Sequence, residues 1–398
     1  MDFQIDPKFL DLQLRIRKFV DDNIVGLEGN RDLLDEGENL KIQEVDKIRK
    51  IAKQSGLWAF QMPEARGGLG LPVTAMALCY EEAARSIFGP ACFNIAAPDD
   101  GNMMILDRVA REDQKDRWLQ PIIDGDVRSA FVMTEPMPGS GSDPTGMLTR
   151  AERRGDSWFI HGRKWFITGA GEAKHFILIA RTSDDKRKGL SAFLFHADQP
   201  GWEIVRRIPI MGPEEHGGHC ELLFDGLEIP DENRLMEIGD GLKLTQIRLG
   251  IARLTHCMRW LGMAKRAIEI CMPYVAERES FGAKLADHEG VQWMLGEAAM
   301  EIHIGRLLTM HAAWKLDQGD FARKEVSMAK IAVADLLHKC IDTAIQLMGA
   351  KGYSGDTHLE WMYRYARQAR LVDGASEVHK VVLARFLMQE GGDFWRWE

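Results

Sequence analysis

The spacing of apolar residues changes twice along the chain. Up to about residue 125 they recur every three to four positions, as Ile48 and Ile51 do before Gly56 ends their run, and this is the pattern of amphipathic helices. Between about residue 127 and residue 230, short apolar runs alternate with turn residues, and beyond Leu242 the helical period returns. The pattern predicts a helical domain, a β domain and a helical bundle, in that order.

The middle segment is predicted to form a compact β domain. Its apolar and aromatic runs are short and are separated by Gly, Asp and Pro clusters, as expected for strands joined by turns. The runs are Trp158–His161, Phe176–Ala180, Leu190–Phe195 and Glu221–Phe224.

Three long helices are predicted for the C-terminal part. From Leu244 to Val275 the apolar positions step by three and four, so one helix on the order of 45 Å is expected at ~1.5 Å per residue. Two more are predicted at Val291–Leu316 and Phe321–Met348, and long antiparallel helices form a bundle. The predicted fold class is multidomain α+β. It has an N-terminal helical domain at residues 1–125, a central β-barrel or sandwich domain at 126–238 and a C-terminal four-helix bundle at 239–398.

The N-terminal part contains two further helix candidates, Ala75–Arg85 and Asn102–Trp118. Between them and the first helices lies the glycine-rich stretch Gly67-Gly68-Leu69-Gly70. It lacks the dinucleotide-binding fingerprint and no strand clearly precedes it, so a tight loop between helices is the better interpretation.

Composition excludes some classes of protein. The 398 residues carry a formal net charge of −9, which argues against a dedicated nucleic-acid-binding protein. The six cysteines form no CxxC pair and are interpreted as reduced thiols. The stretch His216-Gly217-Gly218-His219-Cys220 lacks a second ligand pair, so a turn between strands is expected there and no metal site.

The two ends of the sequence are not expected to carry a targeting signal. The sequence begins Met1-Asp2-Phe3 without an apolar signal core or a transit-peptide composition, and Trp397-Glu398 is not a peroxisomal signal. A cytoplasmic location is expected, with mitochondrial and peroxisomal locations still open.

Three stretches of the sequence carry candidate chemistry. The glycine- and serine-rich segment Thr134–Asp143 could approach an anionic or planar ligand closely, although a plain turn has the same composition. In Gly162–Gly169, an aromatic residue followed two positions later by Thr168 could pack on a ring system and hydrogen-bond its edge, although an ordinary strand would have the same sequence. Arg278, at the end of the first long helix, could bind phosphate or lie on the surface.

The segment Arg370–His379 places Asp373 between two helical regions, followed by Gly374, Ser376 and Glu377. An acidic residue before a helix is a common N-terminal cap. A carboxylate is also a common general base. The segment alone leaves both interpretations open.

Taken together and in this order, these motifs resemble the acyl-CoA dehydrogenase family over essentially the whole chain. The most specific parts are Thr134-Glu135-Pro136, the strand from Lys164 to Thr168, Arg278 with Phe281-Gly282, Gln346–Tyr353, and Asp373–Glu377.

The resemblance implies an FAD-dependent oxidoreductase of fatty acid metabolism, with FAD between the β domain and the C-terminal bundle. Phe166 stands where many relatives have Trp beside the flavin. A neighbouring subunit would complete the site, so a homodimer or homotetramer is expected. The FAD-binding residues implied are Phe131, Met133, Thr134, Gly141, Ser142, Phe166, Thr168, Ser376 and Glu377, with Arg278, Phe281, Gln346 and Gly349 from the neighbouring subunit.

Asp373 aligns with the usual catalytic glutamate of the family. The implied reaction is α,β-dehydrogenation of an acyl-CoA to the trans-2-enoyl-CoA, with Asp373 removing the α-proton and Ser142, Arg253 and Gly374 near the substrate. Electrons would pass to an electron-transfer flavoprotein. Burial is expected to raise the pKa of Asp373 toward neutrality.

Two departures from the family pattern affect these expectations. The base is one methylene shorter than glutamate, as in a branch that includes kinase-fused animal relatives. The alternative position for a base, before Arg253, is occupied by Ala252. The loop after Thr134 has two extra residues, with Met137-Pro138 as the expected bulge.

Three other functions remain open. An acyl-CoA oxidase would let oxygen reach the reduced flavin. A nitroalkane-oxidase-like enzyme would also use an aspartate base but would not need CoA. A DNA-associated flavoprotein of the same fold would turn over little, and the acidic balance counts against it.

Overall fold

The computed structural model describes residues 4–396. The expectation about targeting rests partly on residues 1–3 and 397–398, which lie outside that range. Within residues 4–396, no helix combines the length and apolarity needed to cross a bilayer.

The N-terminal part is helical, as predicted. Helix α1 begins where Pro7 occupies the first turn and the Asp6 carboxylate accepts a hydrogen bond from the Lys8 amide, which caps the helix. The helices are α1 (Pro7–Asn23), α2 (Ile42–Gln54), α3 (Val73–Ala83), α4 (Gly89–Cys92), α5 (Asp99–Val109), α6 (Glu112–Gln114) and α7 (Gln120–Ile123).

The single helix predicted from Asn102 to Trp118 is wrong. Helix α5 ends at Val109 because Ala110 is extended, with φ −75° and ψ 148°. The next helix, α6, then begins, and the Arg111 amide at its N-terminus donates to the Gln114 side chain at 3.1 Å. The break redirects the chain so that Trp118 packs into a buried cluster against the β domain.

The middle part is one eight-stranded sheet with the order β6-β7-β3-β2-β4-β5-β8, and β1 pairs in parallel with β4. All four predicted strand segments are confirmed. The strands are β1 (Arg128–Val132), β2 (Arg150–Arg154), β3 (Ser157–Thr168), β4 (Ala173–Arg181), β5 (Leu190–His196), β6 (Trp202–Arg207), β7 (His219–Pro230) and β8 (Arg234–Leu235).

The two faces of the sheet enter different apolar clusters, because neighbouring residues of a strand point to opposite sides. Phe176 stacks on Phe195 at 4.5 Å inside the β domain. Ile177 instead joins Trp118 and Leu244 in a cluster shared with the helices. This second cluster fixes the sheet against α5 and the start of the C-terminal bundle.

The C-terminal part is a helical bundle. Its elements are α8 (Gly241–Glu277), the hairpin strands β9 (Glu279–Ser280) and β10 (Ala283–Lys284), α9 (Glu289–Asp317), α10 (Arg323–Met348), α11 (Ala350–Tyr353), α12 (Leu359–Ala366) and α13 (Ser376–Glu390). The three long helices are confirmed. A side chain at Gly305 of α9 would clash with Leu336 of α10, so these helices pack closely there.

Candidate functional site

The loop around Asp373 is held at the junction of α8, α10 and α13. Asp373 has φ +53°, a left-handed conformation that non-glycine residues adopt rarely and that often marks functional sites. Arg253 Nε donates to the Asp373 carbonyl oxygen at 2.7 Å. Buried Lys330 donates through Nζ to the carbonyl oxygens of Ala369 at 2.6 Å and Gly374 at 3.3 Å. Two cations therefore fix the backbone in this conformation.

The Asp373 side chain faces α8. Its Oδ2 lies 3.2 Å from His256 Nε2, and its Oδ1 lies 3.7 Å from Arg248 Nη1. The residue preceding α13 is Ala375, and no side chain caps that helix. The capping interpretation of Asp373 is therefore wrong.

The expectation that burial would raise the pKa of Asp373 is also wrong for this arrangement. Burial by itself raises that pKa, but the close contact with His256 and the charges of Arg248 and Arg253 outweigh it. The pKa of Asp373 is therefore held well below its usual value, and the carboxylate is ionised at neutral pH.

A cavity of about 290 Å³ is lined by Arg253, the residue that binds this loop. Ile247 and Ile251 of α8 contribute apolar wall, whereas Arg108, Arg253 and Arg323 bring positive charge. Arg253 also donates to the Asp373 carbonyl, so this one side chain connects the cavity wall to the loop that carries the carboxylate. Apolar walls beside guanidinium groups suit a ligand with an acyl part and anionic phosphates.

The end of strand β1 approaches from the other side. The Arg248 guanidinium lies 4.6 Å from the centre of the Phe131 ring, which joins the β domain to α8 at the site. Thr134 donates through its hydroxyl to the Trp165 carbonyl at 2.6 Å, and the Trp165 amide donates to the Thr134 carbonyl at 3.0 Å. These bonds hold the segment after β1 against β3.

The loop after β1 is organised by buried Glu135. Its carboxylate accepts hydrogen bonds from Lys164 Nζ at 3.0 Å and from the Thr149 amide at 2.8 Å. Lys164 is fully buried, and burial lowers its pKa to about 8 despite the Glu135 charge. Met137 is 92% exposed, as expected for a bulge at Met137-Pro138.

Strand β3 presents Phe166 and Thr168 at the edge of this region. Phe166 has φ +51° and is 44% exposed, an unusual state for an aromatic residue. The Thr168 hydroxyl lies 3.0 Å from His219 Nδ1. His219 Nε2 lies 2.9 Å from Glu215, whose other oxygen accepts from Gln368 at 3.1 Å. This chain of contacts connects β3 to the segment leading to Asp373.

The residues present fit an FAD molecule at this junction. Among the described residues, the buried hydroxyls of Ser140 and Ser376 have no hydrogen-bond partner. Gly141 and Ser142 are exposed, with open space beside Gly141, so a phosphate-bearing ligand can approach the backbone. Phe131, Met133, Thr134, Phe166 and Thr168 lie on β1, β3 and the loop between them, and Glu377 is exposed in the first turn of α13.

A second set of predicted residues lies elsewhere in the chain. Arg278 and Phe281 follow the C-terminal end of α8, and Gln346 and Gly349 lie at the C-terminal end of α10. All four are exposed, and Phe281 is 99% exposed with φ +53°. Helix α8 runs about 33 Å from His256 to Arg278 at ~1.5 Å per residue, so one chain does not bring the two sets together.

The sequence analysis missed three charged or polar residues of α8, namely Arg248, His256 and Arg259. They recur at spacings of eight and three on a helix whose neighbouring positions are largely apolar. Such spacing places them near one face. Polar residues at helical spacing on a buried helix were the available signal.

The segment from His216 to Cys220 has a structural role. His216 Nε2 lies 2.8 Å from the Leu40 carbonyl oxygen, and His219 and Cys220 begin β7. Within the described part of the chain, no group of three or more His, Cys, Asp or Glu side chains could hold a metal ion.

Three family models match the chain. They describe the N-terminal, middle and C-terminal domains of acyl-CoA dehydrogenase, and they match residues 8–126, 130–227 and 239–388.

Individual relatives agree with this match. The chain is 38% identical over 355 residues to acyl-CoA dehydrogenase family member 11 of Rattus norvegicus, with 87% of this chain but only 45% of that protein covered. It thus spans about half the length of that relative. It is 36% identical to a probable acyl-CoA dehydrogenase of Mycobacterium tuberculosis, covering 97% and 96% of the two chains. A putative acyl-CoA dehydrogenase structure from Mycobacterium abscessus is 34% identical, with a TM-score of 0.90, covering 98% of this chain and 100% of the other.

Proposed function

This chain belongs to the acyl-CoA dehydrogenase family of FAD-binding oxidoreductases, and we propose that it converts an acyl-CoA thioester to the trans-2-enoyl-CoA with Asp373 as the base. The observation that carries the proposal is the Asp373 carboxylate, held in a strained backbone conformation by Arg253, which also lines a cavity with apolar and basic walls.

In this proposal Asp373 takes the α-proton of the thioester onto a carboxylate oxygen. FAD, when bound, supplies the acceptor for the hydride that leaves the β-carbon. The electron pair of the broken α-carbon–hydrogen bond becomes the new double bond, so the atoms and electrons balance. Arg253 and Lys330 keep the loop in place while the proton moves. General-base assistance of this kind contributes ~10²–10⁴-fold.

A low pKa keeps the Asp373 carboxylate ionised, so that it can accept a proton, but it also lowers the proton affinity of that carboxylate and makes it a weak base. An acyl chain that displaces water around the carboxylate would add to its desolvation, which moves its pKa upward. We propose that binding of the thioester strengthens the base in this way. Arg108, Arg253 and Arg323 would attract the CoA phosphates at the cavity.

The first set of predicted residues would hold the flavin end of FAD within one chain. We propose that Phe131, Met133, Thr134, Gly141, Ser142, Phe166, Thr168, Ser376 and Glu377 do so, and that Ser142 and Gly374 also contact the substrate. Arg278, Phe281, Gln346 and Gly349 would reach the FAD of a second copy, because they are exposed and remote from Asp373. An electron-transfer flavoprotein is the proposed electron acceptor.

The test is an anaerobic titration of the purified FAD-bound protein with acyl-CoA esters of different chain length. The proposal predicts a fall of the visible FAD absorbance and formation of the trans-2-enoyl-CoA, identified by mass and by comparison with a standard. Loss of absorbance with nitroethane and not with any acyl-CoA would refute the proposal. Hydrogen peroxide formed at the rate of substrate oxidation in air would identify an oxidase instead.

A further inference from the structure

Asp373 ends a series of polar contacts that reaches back to helix α5. Its Oδ2 atom lies 3.2 Å from Nε2 of His256, and the other ring nitrogen, Nδ1, lies 3.2 Å from Nη2 of Arg259. Arg259 pairs with the buried carboxylate of Asp100. That carboxylate also accepts a hydrogen bond from the Thr255 hydroxyl at 2.7 Å.

These contacts determine where the His256 ring carries its proton. A guanidinium group only donates hydrogen bonds, so Nδ1 of His256 must accept from Arg259. The neutral ring then carries its proton on Nε2, the nitrogen that lies 3.2 Å from Asp373 Oδ2. A second proton on Nδ1 would face the Arg259 charge. Burial and that charge lower the pKa of His256, although the nearby Asp373 carboxylate acts in the opposite direction.

The ring is also held in orientation. The His256 ring stacks on Trp260 with 5.0 Å between centres and 23° between planes. The Lys330 ammonium lies 5.2 Å from the centre of the Trp260 ring. Rotation of the imidazole would lose the stacking and the Arg259 contact together, so the direction of the Nε2–H group is fixed.

Several other charged or titratable groups surround Asp373, and His256 comes closest to a carboxylate oxygen. Arg248 is at 3.7 Å, and Arg253 binds the backbone oxygen. Lys330 on α10 and His379 on α13 act on Asp373 through charge and through the neighbouring backbone. Asp100 acts on His256 from α5.

We propose that His256 is a positioning residue for Asp373, fixed as the Nε2–H tautomer by Arg259 and Asp100. Its Nε2–H group, 3.2 Å from Oδ2, attracts that carboxylate oxygen as a dipole and leaves Oδ1 to receive the α-proton. His256 does not take that proton itself, because the nitrogen facing Asp373 already carries one. The proposal rests on the proposed role of Asp373 as the base.

The test separates proton removal from hydride transfer. A CoA thioester with sulfur in place of the β-carbon has α-hydrogens but no β-hydride, so exchange of its α-hydrogens in deuterated water reports proton removal alone. The variants are His256→Phe, which keeps a flat ring against Trp260 without a donor, and His256→Gln, which restores an N–H donor. FAD content and thermal unfolding confirm that each variant is folded.

We expect His256→Phe to slow exchange about 10- to 100-fold, as small misplacements of catalytic groups do, without a comparable loss of thioester binding. His256→Gln should recover most of the rate. An exchange rate in His256→Phe equal to that of the wild type would overturn the role of His256 while leaving Asp373 as the base. An equal loss of exchange rate in His256→Phe and His256→Gln would do the same. Full exchange in Asp373→Asn would overturn both the proposed base and this inference.

A measurement on the wild-type protein covers the case in which the variants do not fold. In protein labelled with ¹⁵N-histidine, the His256 ring should show a protonated Nε2 and an unprotonated Nδ1 at neutral pH. The opposite tautomer, or a doubly protonated ring, would overturn the proposal irrespective of activity.

Discussion

Replacing Glu135 by glutamine is predicted to loosen the loop of residues 134–143 and to weaken FAD retention. The Glu135 carboxylate accepts hydrogen bonds from Lys164 Nζ and the Thr149 amide on one oxygen, and from the Leu148 and Ser140 amides on the other, at 2.7–3.2 Å. A glutamine keeps one acceptor oxygen, but its NH₂ group would face backbone N–H groups. It would also leave the Lys164 charge unpaired.

The size of the effect follows from burial. Removing one partner of a buried ion pair costs about 3–5 kcal/mol. Lys164 has a pKa already lowered to about 8, so without the carboxylate it can release its proton, and we expect the lower end of that range. The matched control is Glu152→Gln. Glu152 pairs with Arg154 at 3.2 Å on the exposed strand β2, where a pair contributes at most about 1 kcal/mol.

The assay is denaturant unfolding of the FAD-bound variants, together with the rate at which FAD fluorescence appears on release. Glu135→Gln should unfold at lower denaturant concentration and release FAD faster than Glu152→Gln. The double variant Glu135→Gln with Lys164→Met should recover part of the loss, because it removes the unpaired charge. Equal stability and equal FAD release in Glu135→Gln and Glu152→Gln would refute the reasoning.

Three further predictions follow from the site. Arg323→Leu should raise KM for acyl-CoA about tenfold with little change in kcat, as loss of a charged hydrogen bond to phosphate would. Arg323→Lys should raise KM by a smaller factor. An unchanged KM in Arg323→Leu would remove Arg323 from the substrate site. Phe281→Ser should weaken FAD retention in the oligomer, whereas the exposed control Leu14→Ser should not; equal retention would contradict a contribution from a second copy. The pKa of His219 is raised by Glu215 even though burial lowers it, so that pair stabilises the fold below about pH 6.5 and loses this effect as pH rises through the higher folded pKa. The stability difference between wild type and His219→Gln should therefore shrink from pH 6 to pH 9, and a constant difference would contradict the assignment.

The sequence predicted the long helices and the strands because their periodicity is local. The apolar steps from Leu244 to Val275 favour a helix on their own, without reference to the rest of the chain. The break at Ala110 was missed because it depends on the hydrogen bond between Arg111 and Gln114 and on packing of Trp118 against the sheet. Neither contact is visible in residue spacing alone.

The candidate site was predicted in part, for a similar reason. Family-like motifs identified Asp373 and Phe166, both of which have positive φ. The direction of the Asp373 pKa shift was missed, because it depends on His256 and Arg248, which contact Asp373 only after the chain has folded. Sequence spacing marks a residue as buried, but it does not say which charges it meets there.

The role of Asp373 is tested most directly by one comparison. The wild-type protein and Asp373→Asn, both with FAD bound, are mixed anaerobically with the acyl-CoA that the wild type oxidises best. The variant should bind the thioester, seen as a small change in the FAD spectrum, but the visible FAD absorbance should not fall on the wild-type time scale. A loss of absorbance in Asp373→Asn as fast as in the wild type would contradict the assignment of Asp373 as the base.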